Sequence, residues 1–139
     1  MSVSGDAIDV RIFEGVHGTL TVRRVRAGVV IVILDGTDIG ELHDAPFRLL
    51  ERILDADGAI ELFIDTRGGR TVSIDVSNQW AMWLRQERAR LLHVHMLAVS
   101  RFLHVTATVV RRFAGLGPAM HVTSDAGEFD RVLDSVATR

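Results

Sequence analysis

The stretch "GVVIVIL", residues 28–34, limits the possible folds more than any other part of the chain. Every position after the glycine is apolar and most are β-branched, so the run favours a strand yet offers no face to water. Such a strand belongs in the middle of a sheet that is covered on both sides. The run is also far shorter than the roughly 20 apolar residues needed to span a bilayer. The rest of the chain must therefore supply neighbouring strands and two covering layers.

The flanking patterns supply them. "IDVRIFEG" and "TLTVRRV" alternate apolar with polar residues on either side of "GVHG", which predicts a hairpin with one wetted face. After the central run, Ile39, Leu42, Phe47, Leu50, Ile53 and Leu54 recur at helical spacing, with Asp44 as cap, Pro46 in the first turn and Gly58 as the stop. "AIELFID" reads as a second buried strand and "TRGGRTVSIDVS" as a loop. "DVSNQWAMWLRQERARL" predicts a helix with Val76, Trp80, Trp83, Leu84 and Leu91 on one stripe. "HVHMLAV" is then strand, and "SRFLHVTATVVRRFAG" is a helix capped by Ser100, with Phe102, Thr106, Val109, Val110 and Phe113 turned inward. "AMHVTS" forms a last strand before a helix in which Asp125 and Glu128 have capping-box spacing. Strands alternating with helices imply parallel pairing. The expectation is an α/β fold: one domain over residues 8–137, with a leading β-hairpin, parallel central strands and about four helices, preceded by a flexible segment at 1–7.

Missing residue types narrow the chemistry. The chain has no cysteine, which excludes disulfides, thiolate nucleophiles and cysteine-ligated metals. All 16 basic residues are arginine, so Schiff-base and P-loop lysines are excluded, and tyrosine is absent as an acid or base. A net charge of −2 gives no overall attraction for nucleic acid. "MSVSGDAIDVR" contains no apolar leader, and the expected location is the cytoplasm.

Two groups of residues could carry function. His93 and His95 stand at i and i+2 on a strand and can direct their rings at one metal ion, with His121 or His17 as a further ligand. Against this, they fall at the amino end of their strand, whereas ligands of open parallel sheets gather at the carboxyl ends. At those carboxyl ends lie Asp35, then Asp65, Thr66, Arg67, Gly68, Gly69 and Arg70, then Ser100 and Arg101. Together with the adjoining helix termini they could hold an anion or a partner's carboxylate, although Asp, Ser and Thr there also serve as ordinary caps. "VILDGTD" is similar to the opening of haloacid-dehalogenase-type phosphatases, but Ile33 stands where their nucleophilic aspartate would be. Trp80, Trp83, Phe102 and Phe113 could instead line a groove for an apolar ligand.

The layout resembles the STAS or SpoIIAA-like family, named for anti-sigma factor antagonists, over roughly residues 8–137. "AIELFIDTRGG" is similar to the strand and loop that in those antagonists reads Asp-Ser-Ser-Gly, with Asp65 and Thr66 at the first two positions and Arg67 in place of the phosphorylated serine. "LAVSRFLHVTATVV" with "SDAGEFDRVL" is similar to a bacterial subgroup of these proteins. The resemblance implies a non-enzymatic regulatory module without a cofactor. It would bind a protein partner, or a second copy as a homodimer, through the Asp65–Arg70 edge and the following helix. The usual serine phosphorylation would be missing, with Thr66 as a displaced acceptor. An apolar-ligand or lipid-binding domain is the alternative, and a metal- or carboxylate-dependent enzyme built on Asp35, Asp65 and a histidine is the third reading.

Overall fold

The structure is a computed structural model that describes residues 9–139; the segment 1–7, expected to be flexible, lies outside the described residues. The chain runs β1 (Val10–Glu14), β2 (Gly18–Arg26), β3 (Val29–Asp38), α1 (Ala45–Asp57), β4 (Ile60–Val72), α2 (Ile74–Gln86), β5 (Leu91–Leu97), α3 (Arg101–Ala114), β6 (Met120–Thr123) and α4 (Ala126–Ala137). The six strands form one sheet in sequential order. β1 to β3 are antiparallel and β3 to β6 parallel. This is the expected order of elements.

The sequential order explains where the helices lie. Each parallel strand is added on the same side of its predecessor, so three right-handed crossovers place α1, α2 and α3 on one face. α4 follows the last strand, is free of that constraint, and folds back over the other face. The central strand shows both layers. Val30, Val32 and Leu34 enter the large core beneath α1, α2 and α3, while Val29 and Ile31 pack with Phe63, Leu97, Phe129 and Val136 under α4.

Four local expectations are corrected. Helix α1 starts at Ala45, leaving Ile39 and Leu42 outside it, because Pro46 belongs in a first turn and cannot continue a helix from upstream. Asp44 occupies the cap position without a side-chain cap bond and pairs with Arg48 instead, at 2.9 Å. Leu91 begins β5 rather than completing the stripe of α2. The segment read as a loop after Asp65 is strand: β4 continues to Val72, pairing Gly68, Gly69, Thr71 and Val72 with Asp35, Gly36, Thr37 and Asp38. Glycine permits this, since a Cβ at Gly68 would collide with the Asp35 carboxylate. Gly36 is needed for a second reason, a φ of 79° in a strand that passes close to the His17 carbonyl.

Helix α3 is a fifth correction. Its buried residues are Leu103, Ala107, Val110 and Ala114, whereas Phe102, Val109 and Phe113 are exposed. The helix turns Leu103, Val110 and two alanines to the sheet and both of its phenylalanines to solvent.

One polar clasp fixes the start of the sheet to α1. Arg24 on β2 donates from Nε and Nη2 to the two oxygens of Asp57, at 3.0 and 2.8 Å, and Asp57 also accepts the Gly28 N–H at 2.9 Å. The Asp57 side chain is only 3% exposed. Arg24, and then the Gly28 amide, hold its carboxyl below the ordinary value of 3.8 despite burial. Asp57→Ala leaves the Arg24 guanidinium with only the longer contact to Asp9, at 3.4 Å, and the Gly28 amide unpaired, and should cost about 2 kcal/mol in urea unfolding. A folded-state pKa below the unfolded one contributes stability that is complete above pH 3.8 and is lost as pH falls through the folded value. The gap between wild type and variant should therefore hold at neutral pH and narrow only in strong acid.

Candidate functional site

The polar residues expected at the carboxyl ends of β3, β4 and β5 do lie together, at the level where β5 ends and within the longer β3 and β4, but most of them hold one another. Asp65, 7% exposed, accepts the Arg67 backbone N–H at 2.9 Å and Arg67 Nε at 3.0 and 3.1 Å. The other end of the same guanidinium grips both oxygens of Asp130 in the second turn of α4. Arg67 is thus the tie between β4 and α4. Its hydrogen bonds to Asp130 and then to Asp65 raise the pKa of Arg67, and Arg67 in turn lowers that of Asp130. Thr66 is buried, and its hydroxyl donates to the Leu97 carbonyl at 2.6 Å. Ser100 accepts the Leu103 N–H as the cap of α3. Of the other expected residues, Asp35 is exposed beside Gly68, and Arg70 lies with His17, Gly36, Thr37, Ile39 and Gly68 along an open trough of about 610 Å³. Arg101 is exposed at the start of α3.

The four aromatic residues considered for an apolar groove do not converge. Trp83 is buried against Phe47 and donates its indole N–H to Glu51 at 3.0 Å. Trp80 lines a cavity of about 50 Å³ between the sheet and helices α2 and α3, with Leu34, Ile64, Met96, Thr106 and Val110. Phe102 and Phe113 stand outside it, on the solvent side of α3, at 55% and 62% exposure. Val105 and Val109 lie between them, at 57% and 48%. Residues 102, 105, 109 and 113 follow helical spacing and form one continuous apolar stripe.

His93 and His95 are brought together by a bulge. Ile60 pairs with Leu91 but Glu61 pairs with His93, so Leu92 is the extra residue. That shift lets Leu91 face the large core while His93 and His95 face the α4 side. There they meet Glu61, which sequence reasoning missed: a glutamate in an otherwise apolar strand was the available signal. His95 Nε2 is 3.4 Å and His93 Nδ1 4.0 Å from Glu61 Oε2. The His95 ring stacks on Phe63 at 4.5 Å, and its Nε2 is buried without a hydrogen-bond partner. Burial lowers the His95 pKa against the opposing pull of Glu61. Neither further ligand considered joins them: His17 lies along the trough, and His121 pairs with Glu128 at 3.0 Å. Glu61 and Asp65 are four residues apart on β4, about 13 Å, which keeps the imidazoles at the opposite end from the Arg67 tie.

No protein-family model matches this sequence, and no curated protein matches it. Among solved structures it is similar to an uncharacterized protein of the DUF3478 family from Shewanella loihica, described as having a SpoIIAA-like fold. The two share 14% identity and superpose with a TM-score of 0.62, over 88% of this chain and 99% of the other. The fold is SpoIIAA-like. At that identity the likeness extends to architecture alone, and among the described residues no helix is long and apolar enough to cross a membrane.

Thr66, buried with its hydroxyl on the Leu97 carbonyl, is a structural residue by these contacts. Thr66→Val should cost about 1 kcal/mol through the lost hydrogen bond. Thr66→Glu, which buries a carboxylate with no cation facing it, should cost about 3 kcal/mol or more. Equal denaturation midpoints for the two variants would contradict this placement.

Proposed function

We propose that this protein is a non-enzymatic cytoplasmic regulatory module that binds a protein partner, or a second copy of itself, through the solvent face of α3. The observation that carries this reading is the stripe Phe102, Val105, Val109 and Phe113. A helix with one apolar face against the sheet and a second turned to water is normally covered in use, because contiguous exposed apolar surface marks an interaction site. Arg101 and Arg112, both exposed, place charge at the ends of the stripe, as in the polar rim of an interface.

The SpoIIAA-like resemblance supports a protein-binding role, but the contact surface moves. The Asp65–Arg70 edge offers Arg70 and Asp35 to a partner, while Arg67 is engaged by Asp65 and Asp130. Arg67 in the serine position and the enclosed hydroxyl of Thr66 support regulation without phosphorylation at that motif. The apolar-ligand alternative has less behind it: the cavity beside Trp80 is about 50 Å³, against the roughly 300 Å³ or more of ordinary ligand pockets.

The test is the double variant Phe102→Ser/Phe113→Ser. Exposed substitutions of this kind change stability by no more than about 0.5 kcal/mol each. Far-UV circular dichroism should therefore match wild type, while concentration-dependent association in sedimentation velocity and recovery of a crosslinked partner should both be lost. Arg70→Glu should leave them intact. Retention of association and partner recovery by the double variant would overturn the assignment.

A further inference from the structure

We propose that Glu61, His93 and His95 form a binding site for a borderline divalent transition metal, with Zn²⁺ as the type ion. One ligand atom from each of the three residues falls within a common span of 4.8 Å. A tetrahedral zinc ion with bonds of about 2.0 to 2.1 Å requires ligand atoms about 3.4 Å apart. The His95–Glu61 pair already has that separation, at 3.4 Å, and the His93–Glu61 pair is at 4.0 Å. His93 is 57% exposed, so its ring is free to turn and close the remaining separations, which reach no more than 4.8 Å among the three atoms, without disturbing the core.

The site is partly built in advance. The bulge at Leu92 fixes both imidazoles on the same face as Glu61, and stacking on Phe63 holds the His95 ring. His95 Nε2 is buried and lacks a hydrogen-bond partner, a condition that coordination would relieve. Arg139 approaches the other carboxylate oxygen, Oε1, at 3.5 Å, which leaves Oε2 directed at the histidines. Exposure of His93 gives an ion its entry path and leaves a coordination position for water. Two imidazoles and a carboxylate, with no thiolate, suit Zn²⁺, Ni²⁺, Co²⁺ or Cu²⁺ rather than Mg²⁺ or Ca²⁺, which prefer all-oxygen cages. The site lies on the α4 side of the sheet and is independent of the α3 stripe.

The test uses tag-free full-length protein treated with chelator, dialysed, and titrated with Zn²⁺ against a chromophoric competitor, and with Co²⁺ followed by visible absorption. Wild type should bind one ion per chain, develop the intense d–d bands of a four- or five-coordinate Co²⁺ site, and melt at a higher temperature with Zn²⁺ present. His93→Ala, at an exposed position that does not threaten folding, and Glu61→Gln should each weaken Zn²⁺ binding on the order of 100-fold. His121→Ala and His17→Ala should not. Absence of saturable binding, or equal affinity in wild type and His93→Ala, would overturn the proposal.

Discussion

The architecture depends on covering β3 from both sides. Val30 and Val32 have no exposure and Val29 and Ile31 almost none, so neither face of that strand can be left to water. At roughly 25 cal/mol per Å² of apolar surface, this burial outweighs any local preference in the neighbouring segments. Strictly sequential strand order then sends three crossover helices to one face and leaves α4 to close the other. The two faces are therefore unequal. The three-helix face is filled with Leu, Ile, Val and Trp, while the α4 face tolerates Glu61, His93 and His95, and His121 paired with Glu128 of that helix.

Among the described residues α4 alone covers its face of the sheet; a lone helix needs more than apolar contact to stay in place, and polar ties hold it at both ends. Near its amino end Asp130 grips Arg67; near its carboxyl end the Val136 carbonyl accepts Arg26 Nε at 3.2 Å, and Arg139 reaches Glu61. The first tie accounts for the chemistry of the strand exits. Arg67 satisfies the nearly buried Asp65, and a buried carboxylate without such a partner would be costly. Residues that look like an anion site in sequence are consumed in joining sheet to helix.

The order of elements was legible because it is written in periodicity. Period-two alternation marks β1 and β2, the unbroken run marks β3, and Ser100 and Asp125 cap the helices expected of them. Three features were illegible for separate physical reasons. Gly68 and Gly69 signal a turn, yet here they let β4 pass beneath Asp35 and remain paired. Helix α3 carries two apolar stripes of helical period, and size favours Phe102 and Phe113 as core; contact distance decides otherwise, because Ala107 and Ala114 allow the helix close to the layer beneath. The meeting of Glu61 with the histidines depends on a one-residue bulge. Plain alternation would place Leu91 on the same face as His93, and only the register shift separates them.

The rule that ligands collect at the carboxyl ends of parallel strands rests on a reversal in strand order, where neighbouring crossovers go to opposite faces and open a crevice. This sheet has no reversal: β3 to β6 advance in one direction and their crossovers share a face. No crevice opens at the strand exits, and the Arg67 tie closes over part of that edge. Position at the amino ends of β4 and β5 is accordingly no argument against a role for the Glu61, His93 and His95 cluster. What decides is local: whether ligand atoms converge, whether one is left without a partner, and whether an ion can enter. All three conditions are met at the bulge, on the face that a single helix leaves half open.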